Sequence, residues 1–231
     1  MERNVSSALK NSDEIKPILA FETSGNLCGV CIYFSDVKYF SSTIKFKHSH
    51  SEKIFELSEF LFKVAKTNPS ELDSIAVSEG PGSFTGLRIG FSAAKGIAYG
   101  ANSSIIPVPT YEALAYQLAF TKNENDEFII ANKVNKEEVY FAKFQIRGNS
   151  YIFVEDLTIL RNDIFIKKAQ DCQVFGDGAV LLNRNLLNPI SPDPLFIAKW
   201  AVHFGIEKKT FKYDFLEPNY LKNFIVKEKH K

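Results

Sequence analysis

A mixed α/β fold built from two similar units is what this sequence predicts, and three observations predict it. Three short strands joined by tight turns begin at Pro17, and a second run of three begins at Phe128. Around them, apolar residues recur at helical spacing. A glycine-rich turn, Gly80 to Ser83, then leads from a strand straight into a helix. The repetition lies in the order of elements, since no residue-level repeat accompanies it.

Pro17–Phe21 is a short apolar strand. The polar turn Glu22–Asn26 leads to a strand Cys28–Phe34, and Ser35-Asp36 turns the chain into a third, Lys38–Phe46, an antiparallel meander. His48–Thr67 reads as a helix. Ile54, Leu57, Leu61 and Val64 form its apolar stripe, while Phe55 and Phe62 mark a second face that needs a neighbour. Asn68-Pro69-Ser70 ends it. A strand Leu72–Ser78, a loop Glu79–Ser83 and a helix Phe84–Tyr99 follow, with Gly100 as the expected C-cap. Then come a strand Ile105–Val108 and a helix Pro109–Phe120. The charged loop Lys122–Glu127 precedes strands Phe128–Ala131, Glu138–Ile146 and Tyr151–Ile159, the last two joined by a Gly148-Asn149 hairpin turn. Cys172–Phe175 is a strand, Gly176–Gly178 a turn, Ala179–Leu186 a short helix and Pro192–Ile206 the last helix. The expected organisation is a disordered N-terminal extension over 1–16, a first, partner-binding lobe over 17–108 and a second over 109–231. The last helix returns to the first lobe, and the basic tail Lys227–Lys231 frays.

Composition narrows the function classes. At 45% hydrophobic and 24% charged residues, the chain has the makeup of a globular protein and not of a disordered one. Its 21 Phe point to an aromatic core or partner surface. A net charge of +1 gives no broad attraction to RNA, so contact with a nucleic acid needs a local patch or a basic partner. Three cysteines, Cys28, Cys31 and Cys172, are too few and odd in number for a disulfide framework; Cys28 and Cys31 form a C-x-x-C, but they lie in a strand where residues three apart face opposite ways, so they read as small buried thiols. No apolar run approaches the ~20 residues of a membrane span. Met1–Lys16 lacks a signal-peptide core, which gives a cytoplasmic expectation.

The segment Ser78–Gly90 carries the most specific signal. Ser83 is placed to cap the following helix, whose free N–H groups form an anion site, so Gly82 and Ser83 read as phosphate contacts. It is not a Walker A loop, because no Lys-Ser/Thr follows the glycines. Gly86, Gly90 and Ala94 fall at i, i+4 and i+8. That smooth face admits either a helix of another chain or the chain's own sheet. Thr23 and Ser24 with Gly25 read either as a second phosphate-facing turn or as a plain hairpin, and Glu22 as a carboxylate able to hold a metal through water. His48 and His50 read as the start of a helix. No nucleophile–base pair and no metal-ligand set stands out.

Taken together, Gly80-Pro-Gly-Ser-Phe-Thr-Gly-Leu-Arg-Ile-Gly90 followed by Lys95-Gly96 resembles the signature of the TsaB (YeaZ) family. Ile18-Leu-Ala-Phe-Glu-Thr-Ser24, His50-Ser-Glu52, Pro109–Ala115, Glu138-Val-Tyr140, Phe175-Gly-Asp-Gly178 and Glu217–Lys222 fall in the same order as that family's landmarks, so the likeness covers about residues 17–222. The resemblance implies two RNase H-like lobes of the acetate and sugar kinase, Hsp70 and actin (ASKHA) fold. It also implies a role in making N6-threonylcarbamoyladenosine at position 37 of tRNAs that read codons beginning with A. The catalytic step there belongs to a paralogue, TsaD, and a small ATPase, TsaE, joins the two. The paralogue's metal-binding His-x-x-x-His pair falls here at Thr110 and Leu114, and Leu114 cannot ligate a metal. The resemblance therefore implies a non-catalytic scaffold without metal or cofactor of its own, with an ATP-derived ligand only at the complex interface. Pairing with TsaD would use Phe55, Phe62, Gly86, Gly90 and Ala94, a homodimer would form in its absence, and tRNA would be met through the complex. Glu22 replaces the family's usual Asp, and Asn132-Lys133-Val134 its Asp-Ala-Arg. The alternative is an active phosphotransferase or carbamoyltransferase using Glu22, Thr23 and the Gly80–Ser83 loop.

Overall fold

The computed structural model describes residues 16–45, 50–187 and 189–221. The sequence before Lys16, His48 and the tail from Lys222 lie outside the described residues, as does the side chain of His50.

Two separate sheets form. The first contains β1 (Ile18–Glu22), β2 (Cys28–Ser35), β3 (Lys38–Ile44), β4 (Ser74–Gly80) and β5 (Ser104–Pro109) in the order β3-β2-β1-β4-β5. The meander β1-β2-β3 is antiparallel, and β4 and β5 run parallel to β1. Parallel neighbours need crossovers. Helices α1 (His50–Ala65) and α2 (Phe84–Ala101) supply them. The second sheet repeats the scheme one strand short: β6 (Glu127–Lys133), β7 (Glu138–Arg147), β8 (Ser150–Arg161) and β9 (Gln173–Phe175) lie in the order β8-β7-β6-β9, with β9 parallel to β6. These are two RNase H-like lobes.

Strand β1 is buried along its whole length because helices cover both faces of its sheet. Phe21, Val30 and Ile75 face α1 and α2. Ala20, Cys31 and Ala76 face α3 (Thr110–Leu118) and α5 (Pro194–Phe204), so the last helix packs on the first sheet through Ile197, Ala198 and Ala201. Seven of the nine residues of α3 are buried. Its Ala113 and Tyr116 join that core, while Tyr111, Leu114 and Leu118 join the core under the second sheet. Wedged between the lobes, this helix fixes how they meet. Burying its large side chains contributes roughly 1.5–3 kcal/mol each.

Several elements differ from expectation. The left-handed cap of α2 is Asn102 (φ 51°), not Gly100, which lies within the helix. Asparagine is the non-glycine residue that tolerates this conformation best. Val64 is 46% exposed, and buried Ser58 takes its place beside Ile54, Leu57 and Leu61. An unexpected helix α4 (Asn162–Lys168) buries Phe165, and the expected helix at Ala179–Leu186 is a 3-10 turn, Asp177–Leu182.

After α5 the chain becomes a strap. Thr210 exchanges hydrogen bonds with Ile105 of edge strand β5 (2.8 and 2.9 Å), and Asn219 N–H donates to the Glu79 carbonyl (2.7 Å). The Tyr140 hydroxyl of the second lobe donates to the Tyr220 carbonyl (3.1 Å). One short segment thereby ties both lobes together.

Candidate functional site

The ends of β1 and β4 open into a cleft of 450 Å³ between the lobes. Ser24, Gly82 and Ser83 line one wall, Asn132, Lys133 and Asp177 the other. Three of the four expected phosphate contacts therefore meet there. Thr23 does not: it is wholly buried, and its hydroxyl lies against Gly90 and not in the cleft.

The loop itself is closed. Ser83 N–H donates to the Ser24 carbonyl (2.6 Å), and Gly86 N–H donates to Ser83 Oγ (3.2 Å) as a helix cap. Gly80 N–H donates to Thr110 Oγ1 (3.1 Å). Three backbone donors of the loop, those of Gly80, Ser83 and Gly86, are thus engaged by the chain itself.

Beneath the loop lies Glu22, fully buried. Its Oε1 accepts from Ser24 N–H (2.7 Å) and from the Ser24 hydroxyl, while Oε2 lacks a complete hydrogen bond. Burial pushes its pKa up to about 7; the Ser24 hydroxyl and N–H, the Ser78 hydroxyl and the Gly25 N–H oppose the rise. So sealed, the carboxylate has no surface on which to hold a metal-bound water. On the far wall, Asn132 Nδ2 donates to Tyr111 OH (3.1 Å), while Asn132 Oδ1 accepts from Asp177 N–H (3.1 Å). Asp177 in turn accepts from Lys133 N–H (2.7 Å). This wall is set by tertiary pairing of β6 with β9; in the sequence, the landmark Phe175-Gly-Asp-Gly178 and the departure at Asn132-Lys133-Val134 were its signals, and neither showed that the two meet. Thr110 and Leu114 both line the cleft, and Leu114 is 1% exposed. Among the described residues, no group of three His, Cys, Asp or Glu is placed to hold a metal.

The partner-facing residues divide. Phe55, 53% exposed, and half-buried Phe62 meet in a groove of 600 Å³ between α1 and α2, beside Ile97. Gly86, Gly90 and Ala94 are buried within the lobe, which corrects their expected place at an interface. A Cβ on Gly86 would run into the Thr23 carbonyl oxygen, and one on Gly90 into the Thr23 hydroxyl. These glycines let α2 lie close on β1. The outward small-residue stripe is a different one: Ser92, Gly96 and Gly100 are exposed, and a Cβ on either glycine would meet open space. Tyr99, 81% exposed, lies beside them. Both stripes have the same four-residue spacing, so spacing alone did not choose between them.

A family model described as "TsaD: tRNA N6-adenosine threonylcarbamoyltransferase" matches residues 44–169. The chain is similar to the tRNA threonylcarbamoyladenosine biosynthesis protein TsaB of Buchnera aphidicola subsp. Acyrthosiphon pisum (strain APS), at 30% identity over 178 residues, 74% of this chain and 79% of the relative. It is 28% identical to the protein of the same description from Escherichia coli (strain K12) over 229 residues, 92% of this chain and 97% of that one. Among solved structures, "YeaZ from Pseudomonas aeruginosa" superposes with a TM-score of 0.73 at 20% identity, covering 89% of this chain and 100% of that one.

Proposed function

The chain belongs to the TsaB family, the TsaD-related proteins of tRNA threonylcarbamoyladenosine biosynthesis, and from that premise we propose that it serves the modification as a non-catalytic scaffold. The observation that carries this reading is the apolar outer face of α1 and α2. Phe55 is 53% exposed there, beside half-buried Phe62 and Ile97, and Tyr99 of α2 is 81% exposed. Exposed apolar side chains gathered on one face mark an association surface. The partner is TsaD, with a second copy of this chain covering the face in its absence and TsaE joining the pair; the complex works in the cytoplasm. Two features support the absence of catalysis. The loop N–H groups of Gly80, Ser83 and Gly86 are engaged by the chain's own groups, and the resemblance to the catalytic paralogue puts Leu114 where that protein has a metal-binding imidazole. A metal held there would act as a Lewis acid, and a leucine side chain offers it no lone pair.

The expected result is that Phe55→Glu leaves the circular dichroism spectrum unchanged and weakens pairing with TsaD at least tenfold, about 1.4 kcal/mol. Sedimentation with purified TsaD measures it. A folded Phe55→Glu that pairs as the wild type does would remove the α1–α2 face from the interface. Threonylcarbamoyl transfer to tRNA by the chain alone would overturn the scaffold reading itself.

A further inference from the structure

At the end of β1 opposite the cleft, the first lobe holds a pocket of 530 Å³. Its floor is apolar, made by Pro17, Phe34 and Ala65, and Lys16, Lys38 and Lys66 stand on its rim. The whole chain carries a net charge of only +1, so three ammonium groups around one pocket do not follow from general basicity.

Among the described residues none of these three lysines has a carboxylate partner. The one carboxylate lining the pocket, Glu71, is engaged elsewhere, accepting from Thr67 Oγ1 (2.5 Å) and Asn68 Nδ2 (2.6 Å). Lys38 Nζ sits 4.0 Å over the centre of the Phe34 ring, which holds one charge directly beside the apolar floor. Lys66 has φ 54°, the left-handed conformation in which a helix C-terminus favours glycine. A long cationic side chain stands where the backbone alone would ask for none.

We propose that this pocket binds an organic phosphate of nucleotide size. Three ammonium groups with no carboxylate partner among the described residues suit a phosphate, the apolar floor suits a ring, and the volume lies within the usual ~300–1,000 Å³ of small-molecule sites. The site is independent of the scaffold reading. Its ligand comes either as a free nucleotide or as a nucleotide unit of an RNA chain.

The test is an NMR titration of the full chain with AMP, adenosine, inorganic phosphate and a short oligoadenylate. AMP shifts the amides of Phe34, Lys38, Lys66 and Ser70 with a dissociation constant of about 1 mM or below. Adenosine and phosphate each bind at least tenfold more weakly, because each lacks half of the recognition. Lys38→Ala and Lys66→Gly each lower AMP affinity about tenfold. Lys66→Gly does so with an unchanged or raised melting temperature, since glycine relieves the backbone there. Oligoadenylate binding at least tenfold tighter than AMP through the same lysines identifies RNA as the source; equal affinity identifies the free nucleotide. No shift at millimolar AMP, shifts confined to Ser24 and Gly82, or unchanged affinity in both variants overturns the proposal.

Discussion

Gly86→Ala and Gly96→Ala, the same substitution ten residues apart on α2, should move stability in opposite directions. At Gly96 a methyl group meets open space, so the gain in helix propensity stands alone and stabilises by about 1 kcal/mol. At Gly86 the same gain is opposed by a backbone carbonyl, that of Thr23 at the end of a wholly buried strand. A carbonyl in that position cannot swing aside as a side chain would. Overpacking costs roughly 1–3 kcal/mol, and a clash with fixed backbone falls in the upper part of that range, which leaves the variant net destabilised by about 1–2 kcal/mol and separates the pair by about 2–3 kcal/mol. Gly90→Leu is harsher still, since four added carbons meet both Thr23 and Val77, and little folded protein should remain. Urea unfolding curves of the three variants against wild type, read at constant m, measure the differences. Gly86→Ala as stable as Gly96→Ala would mean that α2 is free to move off β1, and the buried role of that stripe would fail.

The glycines show where sequence reasoning stops. The pattern of strands placed both sheets correctly because alternation and turn residues are local properties. Two small-residue stripes of equal spacing on one helix are locally indistinguishable, and only the position of β1 decides which is covered. Helix α4 escaped because Asn162–Lys168 is one short amphipathic stretch with two β-branched residues, directly continuing a strand rich in Leu, Thr and Ile. The strap after α5 has no apolar period at all. Its place is set by single backbone bonds to Ile105 and Glu79, which leave no trace in composition. The cleft was half legible. Ser24, Gly82 and Ser83 sit in motifs that announce a turn, whereas Asn132, Tyr111 and Asp177 converge from three elements in two parts of the chain.

The same contacts hold the two lobes together. In a two-lobed fold, opening of the cleft is resisted by whatever spans it. Here α3 is buried on both sides, and the strap bonds Glu79 of the first lobe and Tyr140 of the second through adjacent residues, Asn219 and Tyr220. Tyr220 adds an aromatic contact to Phe84 at 4.9 Å between ring centres, and Arg88 Nε donates to its hydroxyl (3.1 Å). The strap is thus anchored on the first turns of α2, the helix proposed above to meet a partner.

Glu22→Gln should flatten the fall in stability expected of the wild type between pH 5 and pH 8. The wild-type carboxyl is fully buried, and its pKa rises from an ordinary 4.5 to about 7 because burial penalises the charged form. The native state therefore holds this proton more tightly than the unfolded chain does. The resulting stability is fully present below pH 4.5 and is lost progressively as pH rises through about 7. At ~1.4 kcal/mol per pH unit, the whole window amounts to about 3 kcal/mol. Glutamine keeps the shape and an acceptor oxygen for the Ser24 N–H and hydroxyl, and it carries no proton to lose. Its amide N–H₂ must find an acceptor in place of the orphaned Oε2, which costs some stability at every pH and does not alter the slope. The variant should accordingly lie near or below wild type at pH 5 and gain on it by about 2–3 kcal/mol by pH 8. Other groups, such as Asp36, whose pKa is lowered by bonds from Lys199 and Tyr33, titrate alike in both proteins and cancel in the difference. Urea midpoints of the two proteins at half-unit steps from pH 5 to pH 8 measure it. Parallel curves across that range would show that Glu22 keeps its charge when folded, with the Ser24 and Ser78 hydroxyls solvating it well enough to offset burial.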